Sequence, residues 1–351
     1  MDLPSKHSNP LRWGILGCAR VAKSVFAPGV QRSVNGVLYA VASRTIAKAQ
    51  QFAASFNIEH AYGSYEALLN DPKVQAVYIA LPNSMHMPWT VKAAEKGKHV
   101  ICDKPLAANA REAATMVDTC RRHGVQLMEW FTPRFHPQNQ KVKKLLDDGR
   151  IGKPMRISIT HSTAMPPVDD IRMKKQLCGG VLGDMGCYCV NMARYLFAAE
   201  PTSIYATAQF GQESGVDERI SATLHFSDDR VAHMESSYHL DPGHYMQGYE
   251  VFASKGRIYV STPIVHIKTY REQKIVDTSI VVGDEIVPEP TKRHINIPAA
   301  HQWQITTDYF AEHVLNGTEL QWPGENGLAN MKVLDAILQS AQEGRPVTLD
   351  A

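Results

Sequence analysis

Between Arg12 and Phe131 short apolar runs alternate with longer stretches whose apolar positions recur every three or four residues. The runs at 12–17 (RWGILG), 37–44 (VLYAVASR), 74–82 (VQAVYIALP), 99–104 (HVICDK) and 125–131 (VQLMEWF) read as buried strands. Helical stretches separate them: one from about Val21, then IAKAQQFAASF, then PWTVKAAEKG with Gly97 as its stop. A further helix has Asn109 as N-cap, with Ala113, Met116, Val117 and Cys120 on one face and Gly124 at its end. Strand–helix repetition of this kind predicts right-handed crossovers and a parallel sheet. Such sheets bind ligands beyond the carboxyl ends of their strands, which is where Asp103, Lys104 and Pro105 fall.

After about residue 132 the rhythm changes. A helix near Lys141–Leu146 leads to Gly152 and the alternating strand MRISITHS, and a helix covers about 183–198. SIYATAQFG, ERISATLHF, RVAHMESSYH, YEVFAS and GRIYVS follow as strands, with turns at Asp228-Asp229 and at Ser254-Lys255-Gly256. Strands joined by short turns pair antiparallel. Met331, Leu334, Leu338 and Ala341 line a last helix that Gly344 stops. The expected fold is α/β: an N-terminal parallel sheet in 12–131, then a C-terminal α+β domain in 132–351 with an open, mostly antiparallel sheet. Residues 1–11 read as a flexible tail, and the terminal helix is a candidate to pack back on the first domain. A large sheet left open on one face predicts a homodimer or homotetramer.

Composition narrows the function classes. The 351 residues are 44% apolar and 21% charged, with formal net charge +2, which argues against nucleic acid as a partner. No apolar run approaches the ~18 residues of a membrane span, and the polar first residues do not read as a signal peptide. Cys18, Cys102, Cys120, Cys178, Cys187 and Cys189 form no CxxC pair, so the expectation is free thiols, a reducing cytoplasmic setting and no metal site.

Gly17-Cys18-Ala19-Arg20-Val21-Ala22 lies between the first strand and its helix. It matches the Rossmann fingerprint GxGxxG/A with Ala19 at the second glycine. The second strand ends in Ser43-Arg44, where an NAD enzyme places an acid for the ribose hydroxyl. An arginine there suits a 2′-phosphate, and Lys48 one helical turn on adds charge. The expected cofactor is NADP, with NAD as the alternative.

These residues, together with PNSMH (82–86), DKP (103–105), RFHP (134–137) and GGVLGDMGCYCVN (179–191), resemble the Gfo/Idh/MocA oxidoreductases over nearly the whole chain. Asp103 stands where the family usually has glutamate. Tyr188 looks like the branch holding glucose–fructose oxidoreductase, NADP-dependent D-xylose dehydrogenase, dihydrodiol dehydrogenase and sugar 3-ketoreductases. The resemblance implies hydride transfer between nicotinamide and a secondary alcohol, ketone or hemiacetal carbon of a sugar or cyclic polyol. A trans-dihydrodiol dehydrogenase and a non-catalytic dinucleotide-sensing regulator on the same fold are the alternatives. It also implies that Leu81, Pro82, Asn83, His86, Asp103, Lys104, Trp130 and Arg134 belong to the cofactor side. Asn83 has a second reading as a helix cap, His86 as a packed core residue, and Trp130 and Arg134 as packing residues at the domain junction.

The chemistry of the residues points the same way. A helix from about Gly183 puts Asp184, Tyr188, Asn191 and Tyr195 on one stripe. Met185, Cys189, Met192 and Leu196 form an apolar stripe beside it. Oxidising an alcohol needs a base, and a phenol titrating near ~10 needs a nearby cation to serve at neutral pH. Lys104 is the candidate cation and Tyr188 the candidate acid/base, with Asp184 beside it. Lys104, His161, Asp184 and Tyr188 are the candidate substrate contacts, His161 having a second reading as a structural strand residue. Asp103 reads as an anchor for the loop or for Lys104.

Overall fold

The computed structural model describes residues 8–262, 264, 278–283 and 292–349. Residues 1–7 of the expected tail lie outside these, and the first strand begins at Leu11, inside that tail. The chain divides into two compact units, Met1–Trp130 with His301–Met331, and Phe131–Ala300 with Lys332–Ala351.

In the first unit β1 (Leu11–Leu16), β2 (Gly36–Ala42), β3 (His60–Tyr62), β4 (Ala76–Ile79), β5 (His99–Cys102) and β6 (Leu127–Glu129) form one parallel sheet in the order β3-β2-β1-β4-β5-β6. Sequence alone gives five of these strands. The three-residue β3 pairs only at the edge, beside β2, and is too short for a periodic signal. The intervening helices are α1 (Ala27–Arg32), α2 (Ile46–Phe56), α3 (Tyr65–Leu69), α4 (His86–Glu95) and α5 (Ala110–Arg122). Asn109 caps α5, its side chain accepting from Glu112 N at 2.9 Å.

Aromatic rings fill this unit's core. Phe26 stacks on Tyr78 with centroids 4.0 Å apart, and Trp13 and Trp130 meet Phe26 at 5.3 and 5.4 Å. Each such pair contributes about 0.5–1.5 kcal/mol beyond the area it buries.

The remaining helices are α6 (Pro137–Asp147), α7 (Cys187–Phe197), α8 (Gln302–Asn316) and α9 (Gly324–Glu343). The sequence reading places all of 132–351 in the second domain, whereas residues 301–331 group with the first unit. The physical reason is α8. Its Phe310 packs on Trp13 at 5.4 Å, and its Asp308 accepts from Val34 N at 2.9 Å.

The second unit carries β7 (Pro154–Thr163), β8 (Pro201–Phe210), β9 (Asp217–Phe226), β10 (Val231–Ser237), β11 (Tyr245–Ala253), β12 (Gly256–Val260), β13 (Thr278–Gly283), β14 (Lys292–Ile297) and β15 (Val347–Thr348). They form one sheet in the order β14-β13-β12-β11-β7-β10-β9-β8-β15, antiparallel except for the parallel pair of β7 and β10. Burial alternates along β8, where Ile204 and Ala206 are buried and Tyr205 between them is exposed. On β7 and β11, Ile159 lies opposite Tyr249, His161 opposite Gln247 and Thr163 opposite Tyr245. Side chains two residues apart share a face, so Ile157, Ile159, His161 and Tyr245 stand on the same side of the sheet.

Candidate active site

Gly17 follows β1 with φ +101°, and a Cβ there would stand 2.6 Å from the Ala80 carbonyl oxygen and 2.8 Å from a Leu81 methyl. Only glycine fits a turn pressed this closely on the end of the neighbouring strand. Helical backbone runs from 20 to 32 and contains one wide π turn, Ala22–Phe26. Pro28 just beyond lacks the N–H that would close an ordinary turn. The Cys18 thiol donates to the Lys48 carbonyl at 3.6 Å and bonds with Ser43. Burial pushes this thiol up, opposed by Ser43 and by the charge of Lys48. Ser43 is buried while Arg44 and Lys48 are exposed, and the Arg44 charge acts on the Tyr65 phenol. The fingerprint turn and these cations therefore converge at the carboxyl ends of β1 and β2. The donors and the cradle fit the pyrophosphate and ribose phosphate of a dinucleotide.

The ends of β4 and β5 hold the next group. Leu81 is buried, and Pro82 and Asn83 are half-buried ahead of α4. The His86 ring nitrogens lie 2.9 Å from the carbonyls of Leu81 and Pro105. Burial pulls this imidazole toward its neutral form, against the attraction of Asp103. The Asp103 carboxylate accepts from Lys104 N at 3.0 Å. Burial pushes it up, and the charges of Lys104 and His86 oppose that. Asp103 thus anchors the turn that carries the half-buried Lys104.

Three expected cofactor residues take core positions instead. His86, Trp130 and Arg134 are at most 3% exposed. His86 ties two strand ends together, Trp130 packs on Phe26 and Tyr78, and Arg134 lies over the Phe131 ring and near Tyr195 in the second unit. All three side chains are packed among these neighbours.

In the second unit the helix near 183–198 opens with a second π turn, Leu182–Gly186, before α7. The Asp217 carboxylate, buried at the start of β9, accepts from Leu182 N at 2.6 Å and anchors this turn. Burial raises Asp217 to about 6 despite those amide bonds. Asp184 sits inside the wide turn, so the expected polar stripe is broken there. Asn191 is buried, and burial pushes the Tyr195 phenol up to about 12, so these two pack. The apolar stripe of Met185, Cys189, Met192 and Leu196 is buried as expected.

Asp184 Oδ2 is 3.1 Å from the Tyr238 hydroxyl and 3.4 Å from an Arg172 nitrogen. Arg172 also grips Asp170 with two bonds of 2.9 and 3.0 Å. The half-buried Tyr188 ring stands edge-on to Phe131 and to His161, both at 5.3 Å. His161 is 1% exposed, so it does not itself face an open cleft; its Nε2 bonds the hydroxyl of Tyr245, which is 41% exposed. Sequence reasoning misses Arg172, Tyr238 and Tyr245. Arg172 and Tyr238 lie 12 and 54 positions from Asp184, Tyr245 lies 84 from His161, and no local spacing marks them.

Cys102, Cys120, Cys187 and Cys189 are buried and all six thiols are free; burial pushes Cys120 and Cys189 up to about 12. Among the described residues no His/Cys/Asp/Glu cluster could hold a metal, and no helix is long and apolar enough to cross a membrane.

Known proteins share this arrangement. The family model for the GFO/IDH/MocA oxidoreductases with their NAD-binding Rossmann fold matches residues 11–131, and the model for the family's C-terminal domain matches 139–259. A D-xylose 1-dehydrogenase (NADP(+)) of Haloferax volcanii is 35% identical over 342 residues, 97% of this chain and 100% of that protein. A trans-1,2-dihydrobenzene-1,2-diol dehydrogenase of Xenopus laevis is 35% identical over 227 residues, 64% of this chain and 68% of that one. The crystal structure of an aldose-aldose oxidoreductase from Caulobacter crescentus, complexed with glycerol, superposes with TM-score 0.86 at 27% identity, covering 97% of this chain and 100% of the other. The chain belongs to the GFO/IDH/MocA oxidoreductase family, with the family's NAD-binding Rossmann fold and its C-terminal domain both in place.

Proposed function

We propose that the protein is an NADP-dependent dehydrogenase or reductase acting on a secondary alcohol, ketone or hemiacetal carbon of a sugar or cyclic polyol. The observation that carries this reading is Tyr188, a half-buried phenol held between Phe131 and His161 at the start of an anchored helix. The similarity to a D-xylose dehydrogenase and to an aldose-aldose oxidoreductase supports the substrate class. The cations at the end of β2 support NADP over NAD. Arg44 and Lys48 would hold the 2′-phosphate, and a carboxylate, which would repel it, is absent from positions 43 and 44.

Bound nicotinamide supplies the hydride acceptor in oxidation and the donor in reduction. Tyr188 takes the hydroxyl proton in oxidation and returns it in reduction. Lys104 gives positive charge to the oxygen that loses the proton, and Asp103 holds its backbone. Arg172 and Tyr238 hold the Asp184 carboxylate, the candidate contact for substrate hydroxyls. A trans-dihydrodiol is the second reading, favoured by the rings of Phe131, Tyr188 and Tyr245, which suit a flat apolar ring. A cofactor-sensing regulator would not need both Lys104 and Tyr188. The exposed Tyr205, Met246 and Tyr259 on the sheet support a homodimer or homotetramer. A cavity of about 650 Å³ lined by Thr160, Tyr205, Thr223 and Glu235 lies on that face, and we assign it to subunit contact because neither Asp184 nor Tyr188 lines it.

The test is a panel of aldoses, inositols and trans-cyclic diols with NADP and NAD, followed by absorbance of the reduced cofactor. Tyr188→Phe should keep cofactor affinity and lower kcat about 10²–10⁴-fold. Wild-type turnover by Tyr188→Phe would remove the acid/base assignment. Tight cofactor binding with no turnover of any panel member would favour the regulator.

A further inference from the structure

We propose that Tyr245 is a specificity-determining residue, whose phenol, held by His161, hydrogen-bonds a substrate hydroxyl remote from the reacting carbon. The proposal rests on the reading of Tyr188 as the acid/base. Three observations lead to it. Tyr245 and His161 stand on the same side of the sheet, on adjacent strands. The His161 ring lies 5.3 Å from the Tyr188 ring and 5.3 Å from the Tyr245 ring. The His161 side chain is buried, while the phenol it bonds is substantially exposed. One imidazole therefore separates the phenol assigned to proton transfer from a second phenol on a residue that is 41% exposed.

An exposed tyrosine ordinarily samples several rotamers, and ordering it on binding costs part of the contact it makes. Here the buried histidine has already fixed the ring, so the hydroxyl is presented in one place. A phenol also offers what a polyol needs, an apolar flank for C–H groups and a polar tip for a hydroxyl. Neutral imidazole both donates and accepts, and so does the phenol. A phenol has one donor and two acceptor positions, so a bond to the imidazole is compatible with a bond to a substrate hydroxyl. A site that bonds a substrate hydroxyl discriminates against the analogue lacking it, because the protein group is then left unmatched. Neutral hydrogen bonds of this kind change affinity by about two- to tenfold.

The experiment compares wild type, Tyr245→Phe, His161→Gln and Tyr188→Phe. The probes are D-xylose and its monodeoxy analogues, or the fastest aldose of the panel with its own analogues. Wild type should prefer the parent over one particular analogue. Tyr245→Phe should raise KM for the parent up to about tenfold, with kcat within about twofold and NADPH affinity unchanged, and should abolish that preference. His161→Gln keeps a side chain able to bond the phenol and should retain most of it. An unchanged preference in Tyr245→Phe overturns the proposal, as does a fall in kcat with KM unmoved. Tyr188→Phe reports on the underlying reading separately: loss of kcat with the analogue preference intact supports it, and wild-type kcat there removes the acid/base role whatever Tyr245 does. No turnover of any sugar removes both.

Discussion

Asp217 should make the second unit more stable in mild acid than an isosteric amide would. Its carboxylate is 6% exposed and accepts from Leu182 N, and burial raises it from 3.8 to about 6. A carboxyl raised on folding binds its proton more readily in the folded state. It therefore contributes stability that is fully present below the unfolded value and is lost as pH rises through about 6. Each pKa unit corresponds to about 1.4 kcal/mol, so the protonated and ionised limits differ by about 3 kcal/mol. Other carboxylates titrate with the opposite sign, so the quantity to measure is a difference. Unfolding free energies of wild type and Asp217→Asn should be taken by urea titration at pH 7.5 and pH 4.5. The advantage of wild type over the variant should be about 2 kcal/mol larger at pH 4.5. A constant gap across the two pH values, or one that widens toward pH 7.5, would refute the argument that burial outweighs the amide bonds.

Arg44→Ala should cut the preference for NADPH over NADH about ten- to a hundredfold, measured as dissociation constants by fluorescence titration; unchanged discrimination would acquit Arg44. Gly17→Ala should lose cofactor binding and lower thermal stability, because its Cβ would meet a backbone carbonyl at 2.6 Å; a variant that binds NADPH normally by calorimetry would contradict the close packing. Lys104→Met should retain its circular dichroism spectrum and its NADPH affinity while kcat falls at least a hundredfold, and wild-type kcat would leave Lys104 as a loop residue only.

The parallel sheet was readable because its strands are buried on both faces and therefore appear as unbroken apolar runs. The cap at Asn109 and the buried stripe of α5 followed from spacing alone. Helix α8 was not readable. Gln302, Thr306 and Thr307 are buried on it, and polar residues on a buried face erase the 3.6-residue signal. The cofactor turn could be located from Gly17 and Ser43-Arg44, since both functions depend on residues close to strand ends. The substrate side could be read as far as Lys104, His161, Asp184 and Tyr188. Arg172 and Tyr238, which bond Asp184, and Tyr245, which bonds His161, are brought there only by tertiary pairing. His86, Trp130 and Arg134 carry the residue types of a ligand site, and their burial was not legible from the sequence.

The π turn at Leu182–Gly186 has a consequence for length variation among related chains. A wide turn of this kind holds one residue more than an α-helix would, while the helix that follows keeps its phase. Loss of a single residue from 182–186 would then collapse the wide turn into an ordinary one and leave Tyr188 aimed as before. On a regular helix the same loss would instead rotate the phenol by about 100° around the helix axis. The chain thus carries a one-residue slack immediately ahead of Tyr188, and the direction of that side chain is insulated from a deletion that would misdirect it on a regular helix.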